Sequence, residues 1–352
     1  MSQFRNLVFE GGGVKGIAYV GAMSVLEKKG ILKDIRRIGG TSAGAINAVL
    51  VAAGYRTAEQ RKILSAMDFT RFMDDSVGFI RDTKRLLSEF GWHRGDYFRT
   101  WIGDLIAAKL GSENASFRDF QLAGRPDLYL IGTNLSTGFG EVFSVEHTPT
   151  MRVVDAVRIS MSLPLFFAAV RNVRGDVLVD GGLLNNFPIK LFDRVKYVES
   201  PAAARSTDYY EAENRKFLTG PYKTRSPYVY NKETLGFRLD SKREIAALRY
   251  GNVTVRNKID SFFDYTKALV TTVLNVQEAV HLHSDDWHRT IYIDTLGVGT
   301  TDFDLTDARK RALVKSGRDH TARYFDWFEN ATGDEAPINR LQPPARPGTG
   351  AE

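Results

Sequence analysis

The stretch GGTSAGAINA, residues 39–48, constrains this chain more than any other. It reads G-x-S-x-G, with Gly40 and Gly44 flanking Ser42, between an apolar strand pattern (IRRIG) and a helix that is apolar nearly all round (AINAVLVAAG). A serine there either rides passively on a tight turn, or stands exposed on a strand–turn–helix elbow. On so sharp a bend, side chains two positions either side would collide, which accounts for the small residues. The same pattern predicts the fold. Strand, helix, strand and helix follow one another from NLVFE through VKGIAYVGAMSVLEKKG and DIRRIGG to AGAINAVLVAAG. That order implies a parallel sheet with helices on its faces.

Further along, residues 56–126 are more polar and look helical, with WHRGDYFRTWIGDLIAAKLG the clearest segment. Strand patterns return at LYLIGTNL, GEVFSV and DVLVD, with the helix MRVVDAVRIS among them. A long helix around SFFDYTKALVTTVLNVQEAVHLH, a strand RTIYID and a helix from Asp307 to Phe328, N-capped by Thr306, complete the pattern. At 352 residues the chain is long enough for one large α/β domain. No apolar run approaches the roughly 18 residues of a membrane span. A strand pattern begins almost at once after Met1, leaving no room for a signal peptide. With no cysteine either, a cytoplasmic location is expected.

Two more glycine-marked turns carry chemistry. EGGGVKG, residues 10–16, places Gly11, Gly13 and Gly16 in the spacing of a dinucleotide fingerprint. That fingerprint also needs an acidic residue at the end of the next strand, and here that strand ends in glycines. The other use of such a loop is an anion site, with backbone N–H groups aimed at developing negative charge and Lys15 adding a cation nearby. A lysine in a first turn can equally be merely solvated. The third turn, DVLVDGG, ends a short strand with Asp180 followed by Gly181 and Gly182. A carboxylate there can be a turn former, or can take a serine's proton directly. Each turn falls where the C-terminal end of a parallel strand would put it, the ligand-binding edge of such sheets.

GGGVKG (11–16), GTSAG (40–44) and DGG (180–182), in this order, make the chain resemble the patatin-like phospholipases, as do SMSLPLFF (160–167), NNFP (185–188), ETLGFRLDS and HLHSDDWHRTIYIDTLGV. The resemblance runs from residue 6 to about residue 330. It implies a three-layer α/β/α sandwich with a mostly parallel central sheet. It further implies a Ser–Asp dyad in which Ser42 is the nucleophile, Asp180 the general base and the amides of Gly11, Gly12 and Gly13 the oxyanion donors. Lys15 falls where many members carry arginine; Gly16, Gly40, Gly44, Gly181 and Gly182 support the motifs. The implied activity is metal-independent, cofactor-free hydrolysis of glycerophospholipid esters through an acyl-enzyme, by a protein that docks peripherally on membranes.

Rival readings stay open at this point. The order Ser…Asp…His also suits a conventional triad using His281, His283, His288 or His320. HLHSDDWH is dense enough in imidazole and carboxylate to bind zinc. A non-catalytic lipid- or nucleotide-binding module would keep the fold without using the dyad.

The formal charge of +6 is concentrated. Lys196 to Lys258 holds 13 Lys and Arg against 7 Asp and Glu, interleaved with aromatics such as Tyr209, Tyr210, Phe217, Tyr230 and Phe237. Residues 196–258 are therefore expected to form a basic lid or insertion within a hydrolase domain spanning 1–330. It would face either anionic lipid or solvent, its aromatics then packing locally. Nucleic acid is not expected as a partner, and an activator acting through this stretch is compatible with the enzyme reading. The last 20 residues, with 4 Pro and 3 Gly, read as a disordered tail, 331–352.

Overall fold

The computed structural model describes residues 3–68, 71, 90–219, 225–240, 259, 260, 265, 268, 269, 272 and 286–332. Its centre is an eight-stranded sheet. The strands are β1 (Asn6–Phe9), β2 (Arg37–Thr41), β4 (Asp127–Asn134), β5 (Phe139–Ser144), β7 (Val170–Arg171), β8 (Val177–Asp180), β11 (Thr234–Asp240) and β12 (Thr290–Asp294). The small pairs β3 (Gly91–His93) with β6 (Leu165–Phe167), and β9 (Ala204–Arg205) with β10 (Tyr230–Asn231), lie outside it. The order is β12-β11-β1-β2-β4-β8-β7, with β5 on the other edge of β4. Strands β12, β11, β1, β2 and β4 are parallel neighbours. Strands β5 and β8 run antiparallel to β4, and β7 antiparallel to β8. The result is the α/β class with a largely parallel sheet that the sequence predicts.

Period-two alternation sorts side chains between the faces. Leu7 and Phe9 of β1 join the large core formed with the helices, whereas Val8 between them joins a smaller cluster with Tyr129, Phe187, Ile189, Phe192 and Tyr197. The first face carries α1 (Tyr19–Lys28), α2 (Ala43–Ala52) and α9 (Asp307–Asn330). Helix α2 is buried along nearly its whole length, as its unbroken apolar sequence requires. The Thr306 hydroxyl accepts from Arg309 N at the start of α9, the expected cap. Among the described residues the second face is covered more thinly. Segment 187–197, wound in short 3₁₀ turns, lies on it, with Leu191 and Ile189 packed where Gly39 and Gly236 leave no side chain in the way.

The structure corrects one expectation about the chain's organisation. Residues 196–258 are not an insertion as a whole, because Thr234–Asp240 is the fully buried strand between β1 and β12. Three of the aromatics it was read by are interior: Phe237 stacks on Phe9 at 5.2 Å, and Tyr210 and Tyr230 are buried. Cations stack on them locally, with Arg205 over Tyr230 and the neighbouring Arg194 over Tyr228 and Phe217. Segments 220–224 and 241–258, the helix read around SFFDYTKALV (four isolated positions aside), and the tail from 333 lie outside the described residues.

Candidate active site

The three glycine turns converge on one edge of the sheet, by a route the sequence pattern does not reveal. On β4, residues 127–131 pair with β2, ending at Thr41 opposite Ile131. The next residue, Gly132, pairs with Asp180 at the end of β8. Because β5 occupies the opposite edge of β4, β2 and β8 share one edge and arrive from opposite directions. Ser42, just after β2, and Asp180, the last residue of β8, are therefore brought end to end against consecutive residues of β4. Asp180 does not sit at the C-terminal end of a parallel strand, as expected. It reaches the same level because β8 is antiparallel and short, stopping where β2 stops.

Ser42 has φ 52° and ψ −124°, a conformation that L-residues rarely adopt. Such strain costs about 1–3 kcal/mol and persists only where the surroundings enforce it. The enforcement is visible. A Cβ on Gly40 would lie 2.4 Å from the Gly44 carbonyl oxygen, and one on Gly44 would lie 2.4 Å from the Phe9 carbonyl oxygen. The Ser42 amide donates to Ser160 Oγ at 2.9 Å, and the Thr41 hydroxyl donates to the Asn185 carbonyl at 3.0 Å. The Ser42 hydroxyl donates weakly to Met161 Sδ at 3.7 Å.

Asp180 is buried, at 3 % exposure, and desolvation pushes its carboxyl up to about 7. Two groups that favour the anion pull it part of the way back: the Gly182 amide, which donates to Oδ1 at 2.7 Å, and the Ser42 hydroxyl. The Asp180 amide donates to the Ser162 carbonyl at 2.9 Å. Gly181 lies so close to β4 that a Cβ would be 2.5 Å from the Ile131 carbonyl oxygen.

The glycine loop differentiates its three amides. Gly11 N–H donates to the Asn186 carbonyl at 3.0 Å, while Asn186 Nδ2 donates back to the Gly11 carbonyl at 3.3 Å. The amides of Gly12 and Gly13 have no acceptor among the described residues. Gly13 takes φ +54° and faces the Thr300 carbonyl, which accepts from Val14 N at 3.2 Å. Gly16 packs the 3₁₀ turn Gly13–Ala18 onto α2, where an added Cβ would lie 3.1 Å from Ala43 Cβ. Lys15 is not a solvated first-turn lysine: it is buried and donates to the Leu239 carbonyl at 3.4 Å.

Sequence reasoning missed two supporting groups. Ser160, Met161 and Ser162 touch the Ser42 amide, the Ser42 hydroxyl and the Asp180 amide in turn, whereas SMSLPLFF carried no assigned role. The other is Arg238, fully buried, with Nε 2.7 Å from Asp240 and 3.6 Å from Glu10. Glu10 Oε2 also accepts from Leu239 N at 2.6 Å, which ties the strand before the glycine loop to β11. Charged residues in the buried strand GFRLD were the available signal.

The rival sites fare differently. Of the histidines proposed for a triad, His320 Nδ1 lies 2.9 Å from the carbonyl of Ser316 in its own helix, and the His288 ring lies against Trp327. His281 and His283 lie outside the described residues. Among the described residues no group of three or more His, Asp or Glu could hold a metal, and Asp286 of the HLHSDDWH stretch bonds Arg289 instead.

A serine on an enforced elbow and a desolvated carboxyl are thus brought to one edge of the sheet. Comparison with known proteins agrees at the level of family. Residues 7–193 match the patatin-like phospholipase family, and the chain belongs to that family of lipid-ester hydrolases. It is 29% identical over 331 residues to YqhO of Bacillus subtilis, covering 90% of this chain and 97% of that one. It is 26% identical over 194 residues to a cGAMP-activated phospholipase of Pseudomonas aeruginosa, a match spanning 53% of this chain and 54% of the relative. Among solved structures, VipD from Legionella pneumophila superposes with a TM-score of 0.54 at 18% identity, over 92% of this chain and 67% of that one. No helix among the described residues is long and apolar enough to cross a membrane.

Proposed function

We propose that the protein hydrolyses carboxylic esters of glycerophospholipids, with Ser42 as nucleophile and Asp180 as the base. The observation that carries this reading is the end-to-end meeting of β2 and β8 on one edge of β4. In the ionised state Asp180 accepts the Ser42 proton as Oγ attacks the ester carbonyl carbon. The carbonyl π electrons move onto oxygen, and the amides of Gly12 and Gly13 donate to that oxyanion. Gly11, whose amide is engaged by Asn186, holds the loop rather than donating. When the tetrahedral species collapses, the proton on Asp180 passes to the departing alcohol oxygen. Water then attacks the acyl-enzyme with Asp180 again as base, releasing fatty acid and restoring Ser42. Docking on a bilayer belongs to this proposal; the basic stretch argues for it less strongly, since its Tyr210, Tyr230 and Phe237 are buried.

The test is fatty-acid release from mixed phospholipid vesicles in EDTA by wild type, Ser42→Ala and Asp180→Asn. Release by wild type that falls at least about a thousandfold in both variants is expected, in line with loss of nucleophile or base. Release that survives Asp180→Asn would point to a different base.

A further inference from the structure

Opposite the site, at the entering ends of β2 and β4, lies a cavity of about 480 Å³. It is roughly 16 Å from Ser42 along the five residues of β2, at the usual rise per residue. Its charged lining is Lys33, Arg36, Arg37, Arg125, Asp127 and Glu199, four cations against two carboxylates. The carboxylates are partly spoken for: Glu199 pairs with Arg5 at 3.0 Å, and the Asp127 pKa is raised by desolvation. Arg37 is held in place, donating to Asn6 and to the Tyr197 carbonyl, and so lends charge rather than free donors. Arg36 reaches Glu199 only at 4.0 Å.

Arg125 is different. No acceptor among the described residues takes any of its five donors, and its Nε is fully buried. A buried donor left without an acceptor costs about 1–3 kcal/mol. Retaining one in a cavity of net positive charge, beside an exposed Lys33 that has no ion pair among the described residues, makes sense if an anion completes the set. A guanidinium fork matches the paired oxygens of a phosphate, and the ammonium of Lys33 adds a point charge at the rim. The volume is in the range of small-molecule sites, several times that of a bare phosphate.

We propose that this cavity binds a phosphate-bearing anion, held by Arg125 and Lys33 with Arg36 and Arg37 supplying field. The site is independent of the hydrolase chemistry, and its test is run throughout in the Ser42→Ala background, so that no ester is cleaved and only binding is read. The full-length protein is titrated calorimetrically with sodium pyrophosphate and, separately, with dihexanoyl phosphatidic acid below its micellar concentration, at constant ionic strength. Saturable one-to-one binding of at least one probe is expected, weakened about tenfold or more, or about 1.4 kcal/mol, in both Arg125→Ala and Lys33→Ala. Binding of pyrophosphate alone identifies a soluble phosphate compound as the source; tighter phosphatidic acid, displaced by pyrophosphate, identifies a lipid headgroup. Lys33 is exposed, so its variant decides the matter even if Arg125→Ala fails to fold. No saturable heat with either probe, or unchanged affinity in Lys33→Ala, overturns the proposal and leaves Arg125 satisfied by water.

Discussion

A carboxyl buried at Asp180, with one amide and one hydroxyl for company, loses the hydration its ionised form needs, and its pKa rises to about 7. Two consequences follow at the scale of this residue. In its proposed role as general base it must be ionised, so kcat/KM for ester hydrolysis should rise with pH and level off above about 7; a pH–rate profile that is already flat at pH 5 would remove it as the base. The second consequence concerns stability. The folded pKa lies above the ordinary value of 3.8, so between those two values the folded state holds a proton that the unfolded state has lost. Stability is fully present below the lower value and falls as pH rises through the upper one. A shift of this size corresponds to at most roughly 4 kcal/mol. Asn accepts the Gly182 amide equally well and carries no charge. Asp180→Asn should therefore melt several degrees above wild type at pH 8 and close to it at pH 4, while being inactive at both. A variant that is also destabilised at pH 8 would mean the carboxylate is structurally required. Ser42 was legible before the structure, because an elbow leaves glycine at fixed offsets. The differing roles of Gly11, Gly12 and Gly13 were not, because which amide is already engaged depends on Asn186, far away in the chain.

At the scale of elements, Ser160–Ser162, starting at the last residue of the helix Val153–Ser160, links the two strand ends of the candidate site. Ser160 holds the Ser42 amide and Ser162 the Asp180 amide, so the relative position of Ser42 and Asp180 passes through one residue, Met161. Ser160→Ala leaves a buried amide without a partner, at about 1–3 kcal/mol, and frees the elbow to relax. We expect kcat to fall by about ten- to a hundredfold with KM little changed, as misplacement of a reacting group produces. A rise in KM at unchanged kcat would show that the segment serves substrate binding instead. The strand patterns themselves were readable: β4, β5, β8 and β12 fall within one or two residues of their apolar runs. Their directions were not, because a run of four apolar residues looks alike in either orientation. That is how Asp180 could be expected at the same sheet edge as Ser42 for a topological reason the structure does not bear out.

Across the whole molecule, a buried ion cluster ties the segment on the second face of the sheet to its β12 edge. Arg289, immediately before β12, donates from Nη2 to Asp193 at 2.7 Å and to Asp286 at 2.6 Å, and from Nη1 to the Asn231 carbonyl at 3.1 Å. Tyr210 donates to the same Asp193. All of these side chains are buried, so removing the guanidinium leaves two carboxylates uncompensated in a poorly hydrated place. Arg289→Ala should cost about 3–5 kcal/mol in urea unfolding, while Arg289→Met, which restores apolar volume, should recover only part of it. A loss under about 1 kcal/mol in Arg289→Ala would mean water enters and the cluster is not buried in solution.

What the sequence determined by itself is whatever depends on local backbone and short-range pattern. The elbow at Ser42, the glycine turns, the alternation that makes an α/β chain and the family all belong to that set, since steric exclusion and apolar periodicity act within a few residues. The tertiary structure decided everything that required distant residues to compete for one place. It made Thr234–Asp240 a core strand although its surroundings read as a basic insertion, because Arg238 finds Glu10 and Asp240 and can be buried. It spent one glycine amide and left two open, and it set β8 head to head with β2. A hydrogen bond or an ion pair across more than a hundred positions leaves no periodic trace, and only the folded chain reveals which groups are left free to do chemistry.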